Sequence, residues 1–340
     1  MAIPLLTVIT LLVFSQASHA PAKKAKAIVL SSPWKTIVTK VGVSLSLPTD
    51  SGLISSNLPA TKRVAQDTVT PKKWVGCKLQ VAKKPFAKDE DPTDSDATKL
   101  EDFAFEEIDL ESSILASLRY TTWSGFPAIE LQGKDEDGNP FRFKICRSSS
   151  CYYECQLTGG MPEVAVLDHV FQSVTIPKDV TPGKSKSWGP VAQDNVLIKK
   201  HLSVWSPMPL TASDDLLDFT GDEVKQYGFG GEFGYSAYNV VVAEIPQELQ
   251  DRYDEDTLDK LVVSKFSIND DGEYVKLGAF SNVLRGGATF RAMTYSDGDI
   301  QSRVEIAYSN GKLYLFWAVV PKGLLEGNDV KHFFDSIAIK

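Results

Sequence analysis

Apolar and polar positions alternate along the chain in a pattern that predicts the same series of elements twice. Residues 75–82 and 236–243 are rich in β-branched and aromatic side chains, and a proline follows three positions on, at Pro85 and Pro246. Both read as strands. In residues 254–267, Leu258, Leu261, Val262 and Phe266 recur at the spacing of one helical face, and residues 94–105 form a weaker copy. Strands separated by turn signals follow in both places. Asn310-Gly311 marks a tight hairpin whose arms are residues 303–308 and 312–319, with 141–147 and 152–157 as the earlier counterparts. Alternation puts Leu313, Leu315 and Trp317 on one sheet face and Tyr314 and Phe316 on the other, so both faces are apolar and both need a cover. Residues 162–172 and 328–334 read as closing helices, the second capped by Asn328, and each runs into a short strand.

The order repeats because the sequence repeats. A shift of 161 positions sets Trp74 on Tyr235, Ala82 on Ala243, Pro85 on Pro246, Lys99-Leu100 on Lys260-Leu261, Phe105 on Phe266, Gly125 on Gly286, Arg142 on Arg303 and Tyr153 on Tyr314. Near the end the shift becomes 163, setting Phe171, Ser173 and Ile176 on Phe334, Ser336 and Ile339. The expected fold class is α+β: two tandem α/β/α sandwich modules, residues 28–176 and 199–340, each a mainly antiparallel sheet flanked by helices. Residues 177–198 read as the linker, because 177–190 hold three prolines and two glycines. Trp34 and Trp205, each ahead of an apolar stretch (41–47 and 216–219), are expected to open the two modules.

Composition adds a compartment. The apolar run of residues 3–14, followed by small and polar residues, has the shape of a secretory signal over residues 1–22, with cleavage after Ala17 or Ala22. A secreted or periplasmic protein is therefore expected, its Lys23, Lys24 and Lys26 forming a solvated tether. No later segment reaches eighteen uninterrupted apolar residues, so no integral membrane span is expected in the mature chain. A net charge of -8 without a basic stripe argues against nucleic acid as a partner. Cys77, Cys146, Cys151 and Cys155 fit disulfides made outside the cytosol better than a zinc site, since no C-x-x-C knuckle occurs. The hairpin register carried over from Asn310-Gly311 sets Cys146 opposite Tyr153 and on one face with Cys155. That leaves open a diagonal 146–155 bridge, with Cys77 then paired to Cys151.

Chemistry-bearing motifs are scarce. The four histidines, His19, His169, His201 and His332, have no nucleophile motif beside them, and His169 and His332 fall on the closing helices. Gly228, Gly230, Gly231 and Gly234 interleave with Phe229 and Phe233 and run into a strand, which fits a bend or bulge and not a phosphate loop. Asp135, Asp137 and Asn139 resemble the start of a calcium loop but lack its glutamate, and match a plain turn at Asp297-Gly298. The acidic run at 89–96 reads as a solvated loop. No catalytic residue, metal ligand or cofactor site is expected.

Trp205, the strand closed by Pro246, the Lys260-Leu261 helix and the terminal Phe333-Phe334-Asp335-Ser336-Ile337 make residues 205–340 resemble a PsbP-like domain, the fold of the photosystem II extrinsic protein P family and of Mog-type Ran-binding proteins. In the first copy Val170, Phe171, Gln172, Ser173 and Val174 stand at the terminal motif. The resemblance implies an α/β/α sandwich and transfers no chemistry. The expected function is non-enzymatic binding of a protein or small ligand by two linked modules. A hydrolase using carboxylates alone and an accessory protein of a membrane surface are the alternatives.

Overall fold

The computed structural model describes residues 34–39, 41–49, 55–56, 65–69, 76–86, 97–148, 151–177, 189, 192–198, 201–213, 224–268 and 272–340. The leader, the acidic run at 89–96, Trp74 and the stretch 216–219 lie outside them. No described helix is long and apolar enough to cross a membrane.

The first half begins with a hairpin, β1 (Trp34–Val38) and β2 (Ser44–Pro48). It continues through β3 (Ser55–Ser56), β4 (Ala65–Val69), β5 (Lys78–Pro85), helix α1 (Ala97–Ile108), β6 (Ile114–Trp123), β7 (Phe126–Lys134), β8 (Pro140–Arg147), β9 (Cys151–Thr158) and helix α2 (Val164–Ser173). The second half opens on another hairpin, β10 (Gln193–Ile198) and β11 (Leu202–Ser206). Then come β12 (Thr211–Ala212), β13 (Lys225–Phe233), β14 (Ser236–Glu244), a 3-10 turn (Gln247–Arg252), helix α3 (Glu255–Phe266), β15 (Ser281–Arg285), β16 (Ala288–Asp297), β17 (Ile300–Ser309), β18 (Lys312–Pro321), helix α4 (Asn328–Asp335) and β19 (Ala338–Ile339).

Two seven-stranded antiparallel sheets result, ordered β3-β4-β5-β9-β8-β7-β6 and β12-β13-β14-β18-β17-β16-β15. Strand for strand the order is the same. This is an α+β chain dominated by antiparallel sheet, and each sheet is covered on both faces. In the first, α1 lays Leu100, Ala104, Phe105 and Ile108 on Ile129, Leu131, Phe143 and Ile145. The opposite face receives Leu167, Val170 and Phe171 of α2 together with Leu45 and Leu47 of β2. In the second sheet, Leu258, Val262 and Phe266 of α3 meet Val241, Ile306, Leu315 and Trp317. Val330, Phe333 and Phe334 of α4 meet Tyr314 and Phe316 on the other side. The expected partition of the 313–317 run between two apolar faces is thus observed, as the period-2 strand geometry requires.

Local signals act where their chemistry is specific. Asn310 and Gly311 take φ of 51° and 72°, the double left-handed turn that matches strand twist. The Asp254 side chain accepts the backbone N–H of Thr257 at 2.8 Å and starts α3. Asp135 spends both carboxylate oxygens inside its own turn, on the backbone N–H and the side-chain amide of Asn139.

Several expectations are corrected. The cap of α4 is Gly327, with no side-chain bond, and Asn328 is already helical. Gly228, Gly230 and Gly231 lie inside β13, which pairs with β14 in unbroken register from Lys225↔Glu244 to Phe233↔Ser236, so there is no bulge. Gly231 is needed because a Cβ there would sit 2.3 Å from the Pro209 carbonyl oxygen. The segment read as linker supplies β10. Trp34 and Trp205 are not equivalent: the first lies on the outer strand of its hairpin and the second on the inner strand, β11.

Cys77, Cys146, Cys151 and Cys155 are all buried, and no disulfide joins them. The expected register is observed, with Cys146 opposite Tyr153. Cys146 therefore has Cys151 and Cys155 as diagonal neighbours, a relation that spans roughly 7–8 Å between α-carbons. That is beyond the usual reach of a disulfide. Pairing of Cys77 with Cys151 is excluded by topology. Lys78 faces Thr158 while Pro85 faces Cys151, which places the two thiols at opposite ends of the β5/β9 ladder, roughly 25 Å apart.

Candidate functional site

The site assembles where the two halves meet, and a buried carboxylate organises it. Glu101 lies on α1 at a position whose repeat counterpart is the core residue Val262, and it is fully buried. One oxygen accepts the backbone N–H of Tyr235 at 2.7 Å, and the other accepts the Tyr120 hydroxyl from β6. Tyr235 occupies the β13–β14 turn, next to Gly234 at φ 58°. A Cβ on Gly234 would fall 2.4 Å from the Glu101 carboxylate, and the positive φ there independently favours glycine.

Aromatic and apolar contacts surround this polar tie. Tyr120 meets Phe233 edge to face at 4.6 Å, and Phe105 lies 5.9 Å from the Tyr235 ring. Leu324, in the segment after β18, packs against the cores of both halves. The neighbouring Gly323 approaches so closely that a Cβ would lie 2.4 Å from the Leu115 carbonyl oxygen. Lys322 donates to the Glu111 carbonyl. The halves are therefore joined by hydrogen bonds, ring contacts and a shared apolar plug.

Beside the tie opens a cleft of about 530 Å³. Phe105, Leu110, Ile300 and the Tyr235 ring supply its apolar surface, from α1, the turn after it, β17 and the β13–β14 turn. Five carboxylates, Asp102, Glu106, Asp109, Glu111 and Asp299, surround that surface, and no basic side chain among the described residues lines it. The Tyr235 hydroxyl donates to Asp102. That bond, then desolvation and the negative charges of Asp102, Glu101 and Asp299, push the phenol up to about 12, so it stays a donor at neutral pH. Burial and the Glu101 carboxylate likewise raise Tyr120 far above the usual tyrosine range. One Asp299 oxygen is shielded from solvent without a hydrogen-bond donor.

A second groove, about 290 Å³, has Tyr120 in its wall together with Met208, Ser236, Tyr238 and Val330 of the second half. Glu101 thus ties the wall of one cavity to the wall of the other.

Residues singled out from sequence fall elsewhere. His169 lies tilted against Trp34 with ring centroids 3.9 Å apart, His332 meets Trp205 edge to face at 4.4 Å, and His201 lies 3.5 Å from Glu244. Among the described residues no group of three or more His, Cys, Asp or Glu side chains is arranged to hold a metal ion. A further buried carboxylate, Glu154, sits 3.5 Å from Lys84, which also pairs with Glu107; burial pushes its carboxyl up to about 7. Glu101 and Tyr120 were not signalled by any motif, Gly234 was read only as part of a glycine-rich bend, and Tyr235 only as the repeat counterpart of Trp74. The available clue was a glutamate aligned with an apolar residue on the buried face of the repeated helix.

No protein-family model matches this chain, and no curated protein matches it. Among solved structures, the solution structure of cyanobacterial PsbP (CyanoP) from Synechocystis sp. PCC 6803 aligns with 46% of this chain and 100% of its own, at 18% identity and a TM-score of 0.32. The apo structure of the immunity protein TplEi of the T6SS from Pseudomonas aeruginosa aligns with 90% of this chain and 97% of its own, at 12% identity and a TM-score of 0.23. The Pseudomonas aeruginosa MucA/MucB complex gives 90% and 87%, with 12% identity and a TM-score of 0.21.

Proposed function

We propose that this chain is an exported, non-enzymatic binding protein of two tandem α/β/α sandwich modules, whose mutual cleft receives a cationic, partly apolar segment of a protein partner. The observation that carries the reading is the cleft of about 530 Å³, whose apolar lining comes from both halves. Concave, largely preformed sites at the junction of two modules are the common location of ligands. The carboxylates define the chemistry: a basic side chain is attracted, while its apolar neighbours cover Phe105, Leu110 and Ile300. Two modules are supported by the identical strand order of the two sheets and by the shared contacts at their closing helices. Export is supported by the signal-like leader, and a secreted or periplasmic location follows from it.

The reading is tested by calorimetric titration of the full chain with an alternating Lys-Leu octapeptide. Binding is expected to weaken as salt rises, because exposed carboxylates are screened within about 10 Å at 0.1 M. A Glu106→Gln, Asp109→Asn double variant is expected to lose roughly tenfold in affinity, about 1.4 kcal/mol. Equal affinity of the variant and the parent, or no binding at low salt, contradicts the reading.

A further inference from the structure

The junction between the halves is made by two unlike faces. The first half contributes α1, the turn after it and β6, through Glu101, Glu111 and Tyr120. The second contributes the β13–β14 turn and the segment between β18 and α4, through Tyr235, Lys322 and Leu324. Because strand order and closing helix repeat, each half carries a counterpart of both faces. Two faces are therefore left over: the α3–β15 face of the second half, and the face of the first half where β9 leads into α2.

Exposed apolar side chains collect on these two free faces. Val263 stands on α3 at the position of Asp102, Ile268 and Tyr274 lie between α3 and β15, and Leu284 is on β15; they are 42%, 51%, 87% and 75% exposed. Ile268 and Tyr274 oppose each other in an antiparallel bridge, so their side chains project together. On the other free face Val164, the first residue of α2, is 72% exposed, and Met161 holds the place of Leu324 and packs against the core of its own half. Ile114, beside Leu115, and Tyr235 belong to the existing junction, which leaves Val38 as the one large exposed apolar side chain among the described residues that lies off these faces. Single exposed apolar residues are ordinary on any surface, whereas their concentration on a matched pair of faces marks a contact.

We infer that the chain associates head to tail: the α3–β15 face of one molecule takes the β9–α2 face of a second copy, repeating between molecules the contact that joins the halves. The internal junction identifies the occupant, since it is a face of the first kind closed by a face of the second. Such a contact is heterologous and leaves one free face at each end of the pair. It is also weaker than the internal junction. Val262 stands at the place of Glu101 with its side chain buried in its own core, so no buried carboxylate ties the two molecules and apolar contact carries the association. None of this depends on what occupies the acidic cleft.

Sedimentation velocity of the full chain over roughly 1 to 300 μM tests the inference, with Tyr274→Glu and Val164→Glu as probes of the two faces. Both side chains are exposed, so neither substitution disturbs a core. The parent is expected to associate increasingly with concentration, and each variant alone to weaken that association at least about tenfold. An equimolar mixture of the two variants should recover a dimer and no larger species, because each supplies the face that the other has lost. Recovery of this kind also shows that both variants are folded. A parent that stays monomeric throughout overturns the inference. Association that Val164→Glu leaves unchanged overturns it too, since α3–β15 faces would then be pairing with each other, and so does a mixture no more associated than its components.

Discussion

The two halves share one strand order, yet they agree closely at one place and differ sharply at another. They agree where the closing helix meets the sheet. Arg142 stands 4.7 Å over the Phe171 ring and Arg303 stands 4.8 Å over Phe334. Ser173 accepts the backbone N–H of Ser46 at 2.8 Å, and Ser336 accepts that of Trp205 at 2.7 Å. Even the last bridge recurs, Ser44 with Thr175 and Ser203 with Ala338. They differ where one half touches the other. Glu101, which ties the halves, stands at the position of Val262, a buried apolar residue in the second half. Away from the junction, Glu154 stands beside Lys84 at the position of buried Leu315. Contacts between the closing helix and the sheet recur in both halves, while the glutamate that ties the junction occurs in one.

If that division is right, damage to the shared contacts should be equal in the two halves. Phe171→Ala and Phe334→Ala are each expected to cost about 3–5 kcal/mol in denaturant unfolding, since each removes a buried ring from a filled core. A loss in one half only would break the comparison at its strongest point.

Glu154 gives the next largest effect. Burial raises its carboxyl from 4.5 to about 7, so the folded state holds the proton more tightly than the unfolded chain. Stability is greatest below about pH 4.5 as far as this group is concerned, and on the order of 3 kcal/mol is lost as pH rises through about 7. Glu154→Gln should remove that slope and be more stable than the parent at pH 8. A pH profile that Glu154→Gln leaves unaltered would refute it.

Glu101→Gln keeps the shape of the tie but removes its charge, and is expected to cost about 1–3 kcal/mol through weakened hydrogen bonds to Tyr120 and Tyr235. Val262→Ala, the counterpart without a polar tie, should leave the junction intact, read as unchanged exchange at Tyr235. The smallest expected effect is Asp254→Ala, about 1 kcal/mol for the lost cap of α3. Thermal unfolding resolves it.

What the sequence revealed depended on the range of the interaction involved. The Asn310-Gly311 turn, the faces of β18 and the opposition of Cys146 to Tyr153 are local or follow from a turn, so periodicity and turn chemistry specify them. β13 was hidden in part because Gly231 answers to Pro209, a neighbour in space whose approach no local pattern encodes. The disulfides failed for a similar reason: sharing a sheet face does not bring two α-carbons within bridging distance. Glu101, Tyr235 and the cleft were illegible because they are made by packing one half on the other. A repeat aligns the halves with each other but says nothing of how they touch.

The central claim is that both halves form one binding surface. Hydrogen exchange of the full chain with and without the Lys-Leu octapeptide tests it most directly. Slowed exchange is expected both at residues 105–110 of the first half and at Tyr235 and Ile300 of the second; protection confined to one half would contradict a shared surface.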